Sequence, residues 1–240
     1  MEVINSFSVL PYMIKSKPIG HGTTAICFKR EDGNVFKCFK DIKWADERFK
    51  TRLPEMDGIS NNSYIGPEKL LYVRGRIRGY FYPYVEGKPL SSVSSNIRLF
   101  ELFKGYDTLL KDTKLISDKG FILQDVNSGN IILNDGIKII DIDRGYFKDT
   151  SKEAIYINNA YDIFQTIFKY IYKASQVELI LPKEKIINDA LSKMHPNDID
   201  SVNEFLKLIC DVCEYDNPKL KEIRKTIGVE KHFDEYHYNK

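Results

Sequence analysis

Residues 123–133 read LQDVNSGNIIL, and residues 137–143, after a short turn, read IKIIDID. This stretch has Asp125 five positions before Asn130, and Asp141 directly after an apolar strand pattern. A loop carboxylate can accept a proton from an attacking hydroxyl, while an amide oxygen and a second carboxylate hold Mg²⁺ on a triphosphate. The alternative is an Asx-rich loop whose side chains cap turns. The apolar hairpin that leads directly to Asp141 favours the chemical interpretation.

A glycine-rich turn lies far upstream, at residues 19–27 (IGHGTTAIC), between two predicted strands. Without a Cβ, Gly20 and Gly22 allow backbone N–H groups to approach phosphate oxygens. Taken alone, the motif is also typical of an ordinary turn. A dinucleotide-binding fingerprint is excluded, because that fingerprint is followed by a helix rather than a strand.

The next predicted strand, residues 35–40 (VFKCFK), contains two lysines on opposite faces. Lys37 shares a face with apolar side chains that can line a binding site, and its ammonium can reach bound phosphates as a point charge. Lys40 lies on the other face, where a solvated lysine is expected. We therefore assign phosphate contact to Lys37.

The pattern of apolar residues changes along the chain. Up to about residue 85 the apolar runs are short and partly alternating, which predicts strands at 12–19, 25–29, 34–39, 70–73 and 79–85. One helix is predicted from 42 to about 59, where Pro54 ends it, kinks it or begins a second short turn. Beyond Gly87 the spacing is mostly helical, at 96–116, 160–174, 183–194, 198–215 and 218–227, around a hairpin at 130–133 and 137–142. The sequence therefore predicts an α+β fold with a β-rich lobe (1–86), a helical lobe (87–240) and a ligand cleft between them.

Composition narrows the function classes. The 240 residues carry a net charge of +2, without the basic excess typical of nucleic-acid binders, so no nucleic-acid partner is expected. No apolar run approaches the roughly 18–20 residues of a membrane span, and the first residues lack the apolar core of a signal peptide. The four cysteines are too scattered for a disulfide framework, and the pair Cys210 and Cys213 is expected to be buried thiols rather than a zinc site. A reducing cytoplasm is the expected compartment.

Taken together, these motifs resemble the eukaryotic-type protein kinase fold in a compact, divergent form. The resemblance runs from about residue 18 to 170 and rests on the order and spacing of several motifs. It implies that ATP and Mg²⁺ are the cofactors and that each motif has a role. Gly20 and Gly22 cover the phosphates, Lys37 positions them, Asp125 is the catalytic base, and Asn130 and Asp141 bind the metal.

The resemblance also implies three further roles. Residues 82–87 (YPYVEG) are similar to the hinge between kinase lobes, so the carbonyl of Pro83 and the N–H of Val85 would meet adenine. Asp162 resembles the helix aspartate that supports the catalytic loop. The helix glutamate that pairs with Lys37 is Glu55 by spacing, with Glu47 as the alternative on a cleaner helical stretch.

Several departures from the family pattern concern the acceptor. Gln124 replaces the arginine that usually precedes the catalytic aspartate, and Asn127 replaces the usual lysine. Asp143 stands where the glycine of Asp-Phe-Gly is expected, and could reduce flexibility or provide another acidic metal contact. Only 21 positions separate Asp141 from Asp162, which is short for a peptide-binding segment. We expect a Ser/Thr protein kinase-like phosphotransferase; the alternatives are a small-molecule kinase, an inactive nucleotide-binding scaffold and an enzyme that transfers AMP.

Overall fold

A computed structural model describes residues 2–5, 18–172 and 182–227. Most of the strand predicted at 12–19 therefore lies outside the described residues. Its last residues belong to a strand that runs from Pro18 to His21.

A six-stranded sheet contains most of the strands before residue 84. Its neighbours are in the order β1-β5-β6-β4-β3-β2, and all pairs are antiparallel except β1 with β5. The strands are β1 (Glu2–Asn5), β2 (Pro18–His21), β3 (Ala25–Lys29), β4 (Asn34–Phe39), β5 (Lys69–Val73) and β6 (Arg76–Pro83). The predicted strands at 25–29, 34–39, 70–73 and 79–85 are confirmed, with shifts of up to three residues at their ends.

The two faces of β4 follow the alternation predicted from the sequence. Phe39 lies in the main hydrophobic core, whereas Phe36 and Cys38 pack in a second, smaller cluster on the opposite face with Leu71 and Phe81. Since side chains alternate along a strand, this register fixes the side of the sheet on which Lys37 lies.

The helix predicted between 42 and 59 is two helices, α1 (Ile42–Phe49) and α2 (Arg52–Glu55). The side chain of Asp41 caps α1 by accepting a hydrogen bond from the N–H of Trp44. Pro54 lies in the short α2, where the missing N–H of proline costs little because the first turn of a helix leaves its donors unpaired.

Helices dominate the rest of the described chain. They are α3 (Leu99–Leu102), α4 (Tyr106–Asp118), α5 (Lys152–Tyr172), α6 (Pro182–Leu191), α7 (Ile199–Cys213) and α8 (Leu220–Thr226). The helix predicted at 96–116 is broken at Gly105, whose φ is +80° and whose missing Cβ would lie 3.0 Å from the Cα of Gly136. Helix α5 begins eight residues earlier than predicted, because Ser151 accepts a hydrogen bond from the N–H of Ala154 at its start.

Short strands connect these helices. A three-stranded sheet is formed by β7 (Lys88–Pro89), β9 (Ile131–Leu133) and β10 (Ile137–Ile139), in the order β10-β9-β7. A second pair consists of β8 (Phe121–Ile122) and β11 (Tyr146–Phe147). The predicted α+β class is confirmed, and no helix in the described ranges is long and apolar enough to cross a membrane.

Candidate functional site

The β9–β10 hairpin holds Asn130 and Asp141 side by side. Ile131 is paired with Ile139 in this hairpin, and the N–H of Ile140 donates to the carbonyl of Asn130 at 2.9 Å. Asp141 follows directly, so two residues that lie 11 positions apart in the sequence flank the same end of one hairpin.

The loop before the hairpin is organised around Asp125. The side-chain amides of Asn127 and Asn130 both donate to the carbonyl of Asp125, at 3.0 and 3.2 Å. Asn127 also accepts from the N–H of Gly129 at 3.0 Å. The loop therefore contains side chains that cap turns, as the alternative interpretation of an Asx-rich loop expects. The carboxylate of Asp125 itself is exposed.

Asp125 and Asp141 both adopt a left-handed backbone with φ near +60°. This conformation is uncommon for residues other than glycine, and it persists where the surrounding structure determines it. Such residues cluster at active sites and ligand-binding loops. The surrounding structure therefore determines the backbone at both carboxylates, as it also does at Arg74 between β5 and β6 and at Glu214 after α7.

Helix α5 anchors the loop through Asn159 rather than Asp162. The buried side chain of Asn159 accepts from the N–H of Leu123 at 2.9 Å and donates to the carbonyl of Phe121 at 2.9 Å. Thr166, on the same helix, donates to the carbonyl of Val126 at 3.0 Å. Asp162 is exposed, so the supporting role expected for it falls to Asn159, one helical turn earlier.

Lys37 is buried, with 7% of its surface exposed, and its ammonium forms ion pairs with Asp141 and Asp143. The bond to Asp143 is 2.8 Å long, and the hydroxyl of Tyr80 donates to the same carboxylate oxygen at 3.1 Å. Burial disfavours the charged ammonium, but the two carboxylates outweigh it and hold the pKa of Lys37 above its ordinary value. Lys37 therefore carries a positive charge at neutral pH.

Neither glutamate predicted to pair with Lys37 does so. Glu55 in α2 and Glu47 in α1 are both exposed. Among the described residues, the carboxylates within 4 Å of the Lys37 ammonium belong to Asp141 and Asp143. Both acids lie at exposed positions of α1 and α2, away from the ion pairs of Lys37.

The glycine-rich turn lies between β2 and β3. The N–H of Gly22 donates to the carbonyl of Ala25 at 2.9 Å, and the exposed Lys40 donates to the carbonyl of Gly22 at 2.7 Å. A Cβ added at Gly20 or Gly22 would have its nearest neighbour at 3.8 or 3.5 Å, which is ordinary contact. Within the described chain, packing therefore does not require glycine at either position.

The predicted hinge follows the sheet directly. Pro83 is the last residue of β6, and Pro83 and Val85 are both half-buried. Between them, the N–H of Tyr84 donates to the carbonyl of Gly33 at 2.9 Å, which ties this segment to the turn before β4. The structure therefore puts the segment beside the strand that carries Lys37.

Arg144 is a site residue that the sequence did not suggest. Its guanidinium lies 3.1 Å from the carboxylate of Asp125, and both side chains are about two-fifths exposed. Its carbonyl accepts from Arg52 of α2 at 3.2 Å. Arg144 belongs to the 3₁₀ turn Ile142–Arg144, so a single turn contacts Lys37 through Asp143 and Asp125 through Arg144.

An open cavity of about 320 Å³ lies next to Asp125. Helix α5 forms one side of it. The Asp162 side chain is exposed, but its carboxyl is partly desolvated in this cavity, which raises its pKa, while the positive charge of Lys169 lowers it. The lining includes Asp125, Tyr161, Asp162, Gln165, Thr166 and Lys169. Charged and hydrogen-bonding groups thus surround the exposed carboxylate.

The residues expected to hold a metal fit Mg²⁺ in their chemistry. Asn130 and Asp141 supply oxygen donors, which Mg²⁺ prefers, and Mg²⁺ commonly takes only one or two protein ligands beside substrate phosphates. The side-chain amide N–H₂ of Asn130 donates to the Asp125 carbonyl, so the side-chain oxygen is the atom of Asn130 that would hold a cation. In the described chain, groups of three or more His, Cys, Asp or Glu residues that could hold a metal alone are absent.

Cys210 and Cys213 are both buried in α7, as expected for structural thiols.

No protein-family model matches the chain, and no curated protein matches it.

Proposed function

We propose that the chain is an ATP- and Mg²⁺-dependent phosphotransferase with a bilobal, protein-kinase-like fold. One observation carries the proposal: Lys37, Asp125, Asn130 and Asp141 are joined by contacts around the end of the β9–β10 hairpin. Lys37 pairs with Asp141 and Asp143, Asp125 pairs with Arg144, and Asn130 bonds to the backbone of Asp125 and of Ile140. Lys37 and Asp141 lie 104 positions apart in the sequence. The four side chains are the lysine, the base and the two metal ligands that phosphoryl transfer needs.

Each residue has a distinct role in the proposed reaction. The Lys37 ammonium contacts the phosphates, and the backbone at Gly20 and Gly22 covers them. The backbone carbonyl of Pro83 and the N–H of Val85 bind adenine. Asn130 and Asp141 hold Mg²⁺, which offsets the negative charge of the phosphate oxygens.

Asp125 orients the acceptor hydroxyl and takes its proton. A bond forms between the acceptor oxygen and the γ-phosphorus, while the bond from that phosphorus to the β,γ-bridging oxygen breaks and ADP leaves. The exposure of the Asp125 carboxylate beside an open cavity supports this role, since a base must reach the acceptor directly. Arg144 keeps this carboxylate oriented.

A small-molecule acceptor is a second candidate beside the hydroxyl of a protein serine or threonine. Strand β11 ends at Phe147 and helix α5 begins at Lys152, so only residues 148–151 connect them. This connection offers little backbone on which an extended peptide could lie. The two candidates are distinguished by measuring ADP release after adding a protein or a hydroxyl-bearing small molecule. The kind of acceptor that accelerates the release is the substrate.

The proposal is tested by substituting Asp141. We expect the wild-type chain to consume ATP only with Mg²⁺, and Asp141→Asn to lower this turnover by roughly a hundredfold or more, because a ligand to the charge-neutralising cation is lost. The matched control is Asp149→Asn, which alters an exposed aspartate after β11 and should leave turnover unchanged. Equal turnover by Asp141→Asn and wild type would refute the metal assignment. ATP binding without turnover in wild type would favour the nucleotide-binding scaffold.

A further inference from the structure

The ammonium of Lys37 has two carboxylate partners that differ in their surroundings. The side chain of Asp141 is 38% exposed and can reach a bound cation. Asp143 is only 2% exposed, and its carboxylate is enclosed between Lys37 and the hydroxyl of Tyr80. Asp143 therefore has no route to solvent by which it could exchange Lys37 for another partner.

The sheet itself supports this arrangement. Tyr80 on β6 is the cross-strand partner of Lys37 on β4, so the hydroxyl that fixes Asp143 comes from the neighbouring strand. The ring of Tyr80 also lies 5.5 Å from the Lys37 ammonium, and it packs against Phe39 and Tyr82. Three groups from β4, β6 and the turn after β10 thus form one buried network.

Asp141 and Asp143 have different roles in the proposed reaction. A carboxylate that ligates Mg²⁺ has less negative charge to offer Lys37, and a buried ammonium without a counter-ion is costly. Asp143 remains paired with Lys37 when Asp141 engages the cation. The exposed Glu47 and Glu55 take no part in this network.

We propose that Asp143 is the positioning residue for Lys37. Asp143 lies in the turn that also contains Arg144, and from there it holds the Lys37 ammonium at the phosphates. It takes the role for which the sequence suggested a helix glutamate. The consequence, which rests on the proposed function, is that Lys37 keeps its position at the phosphates independently of the positions of α1 and α2.

The ion pair can be measured in the full-length chain without nucleotide. A double-mutant cycle with Lys37→Met and Asp143→Asn should give a coupling of about tenfold or more in the unfolding equilibrium constant. The matched cycle with Lys37→Met and Glu55→Gln should give a coupling within about twofold, since exposed side chains that do not touch are additive. A coupling within twofold for Asp143 would overturn the proposal.

The positioning role is measured by comparing ATP with adenosine, which lacks the phosphates. Asp143→Asn should weaken ATP binding about tenfold, because a charge-assisted contact to phosphate is lost, while adenosine binding stays within twofold. Glu55→Gln should change neither. A merely structural role of Asp143 would weaken both ligands equally, and that result would overturn the proposal.

Tyr80→Phe provides a milder variant if Asp143→Asn does not fold. It removes only the hydroxyl that donates to Asp143, and it should weaken ATP relative to adenosine by about threefold, the size of one modest hydrogen bond. An unchanged ratio would contradict the inference. Failure of the wild-type chain to bind ATP would overturn the proposed function and the positioning role with it, whereas the nucleotide-free cycle would still report the ion pair.

Discussion

Asp125 illustrates what a single residue contributes at this site. Its backbone is left-handed, and two neighbouring amides donate to its carbonyl. Its carboxylate is paired with Arg144 and about two-fifths exposed, and Asp125 is one of the residues that line an open cavity. The loop therefore fixes the main chain of Asp125 and leaves the side chain accessible. This combination suits a group that must receive a proton from a bound acceptor.

Replacing this carboxylate by an amide separates binding from chemistry. We expect Asp125→Asn to lower kcat between about a hundredfold and ten-thousandfold, the usual contribution of a general base, with KM for ATP within about twofold. The reason is that Asn keeps the shape of the side chain but cannot accept the proton. Steady-state kinetics with varied ATP measures both constants, and a large rise in KM at unchanged kcat would show that Asp125 is not the base.

At the scale of residues, the sequence predicts which side chains lie close together when they are near one another in the chain. Asp125, Asn130 and Asp141 lie in one loop and hairpin, so their proximity follows from turn residues and a short apolar repeat. The partner of Lys37 depends instead on the register of β4 against β6 and on the shape of the turn after β10. Neither is determined locally, so spacing along the chain does not predict Asp143 as a partner of Lys37.

At the scale of elements, helix α5 is the support of the candidate site. Asn159 makes hydrogen bonds to the backbone of residues 121 and 123 and to the hydroxyl of Ser117 at 3.0 Å. The sequence pattern predicts a helix start at residue 160, one position after Asn159, whereas the helix begins at Lys152. The apolar periodicity does not reveal the first two turns of α5, because Ile155 and Asn159 are the two buried residues there and Asn159 is polar.

The anchoring role of Asn159 predicts that Asn159 and its neighbour Asn158 differ in their contributions to the free energy of unfolding. Asn159→Ala leaves the N–H of Leu123 and the carbonyl of Phe121 buried without this partner, which should cost about 1–3 kcal/mol of unfolding free energy. Asn158→Ala, at an exposed neighbouring position of the same helix, should change it by less than about 0.5 kcal/mol. Denaturant unfolding of both variants checks this, and equal losses would argue against Asn159 as the anchor.

At the scale of the whole molecule, a sheet built mainly before residue 84 meets helices built mainly after residue 98. The change from short alternating runs to helical spacing was sufficient to predict the α+β class. The pairing of β1 with β5 and the contact of Lys37 with Asp141 join segments more than 60 positions apart. Such contacts follow from packing rather than from local pattern. The sequence therefore does not predict the pairing of β1 with β5, and only the resemblance suggests that Lys37 and Asp141 belong to one site.

The proposed function requires transfer of the γ-phosphoryl group, and the nucleotide product shows whether that transfer occurs. Full-length protein is incubated with ATP and Mg²⁺, and the nucleotides are separated and quantified for wild type and Asp125→Asn. ADP is the expected product of the wild-type protein, and its formation should be at least a hundredfold lower in the variant. AMP with pyrophosphate, or ATP that is bound but never converted, would contradict it.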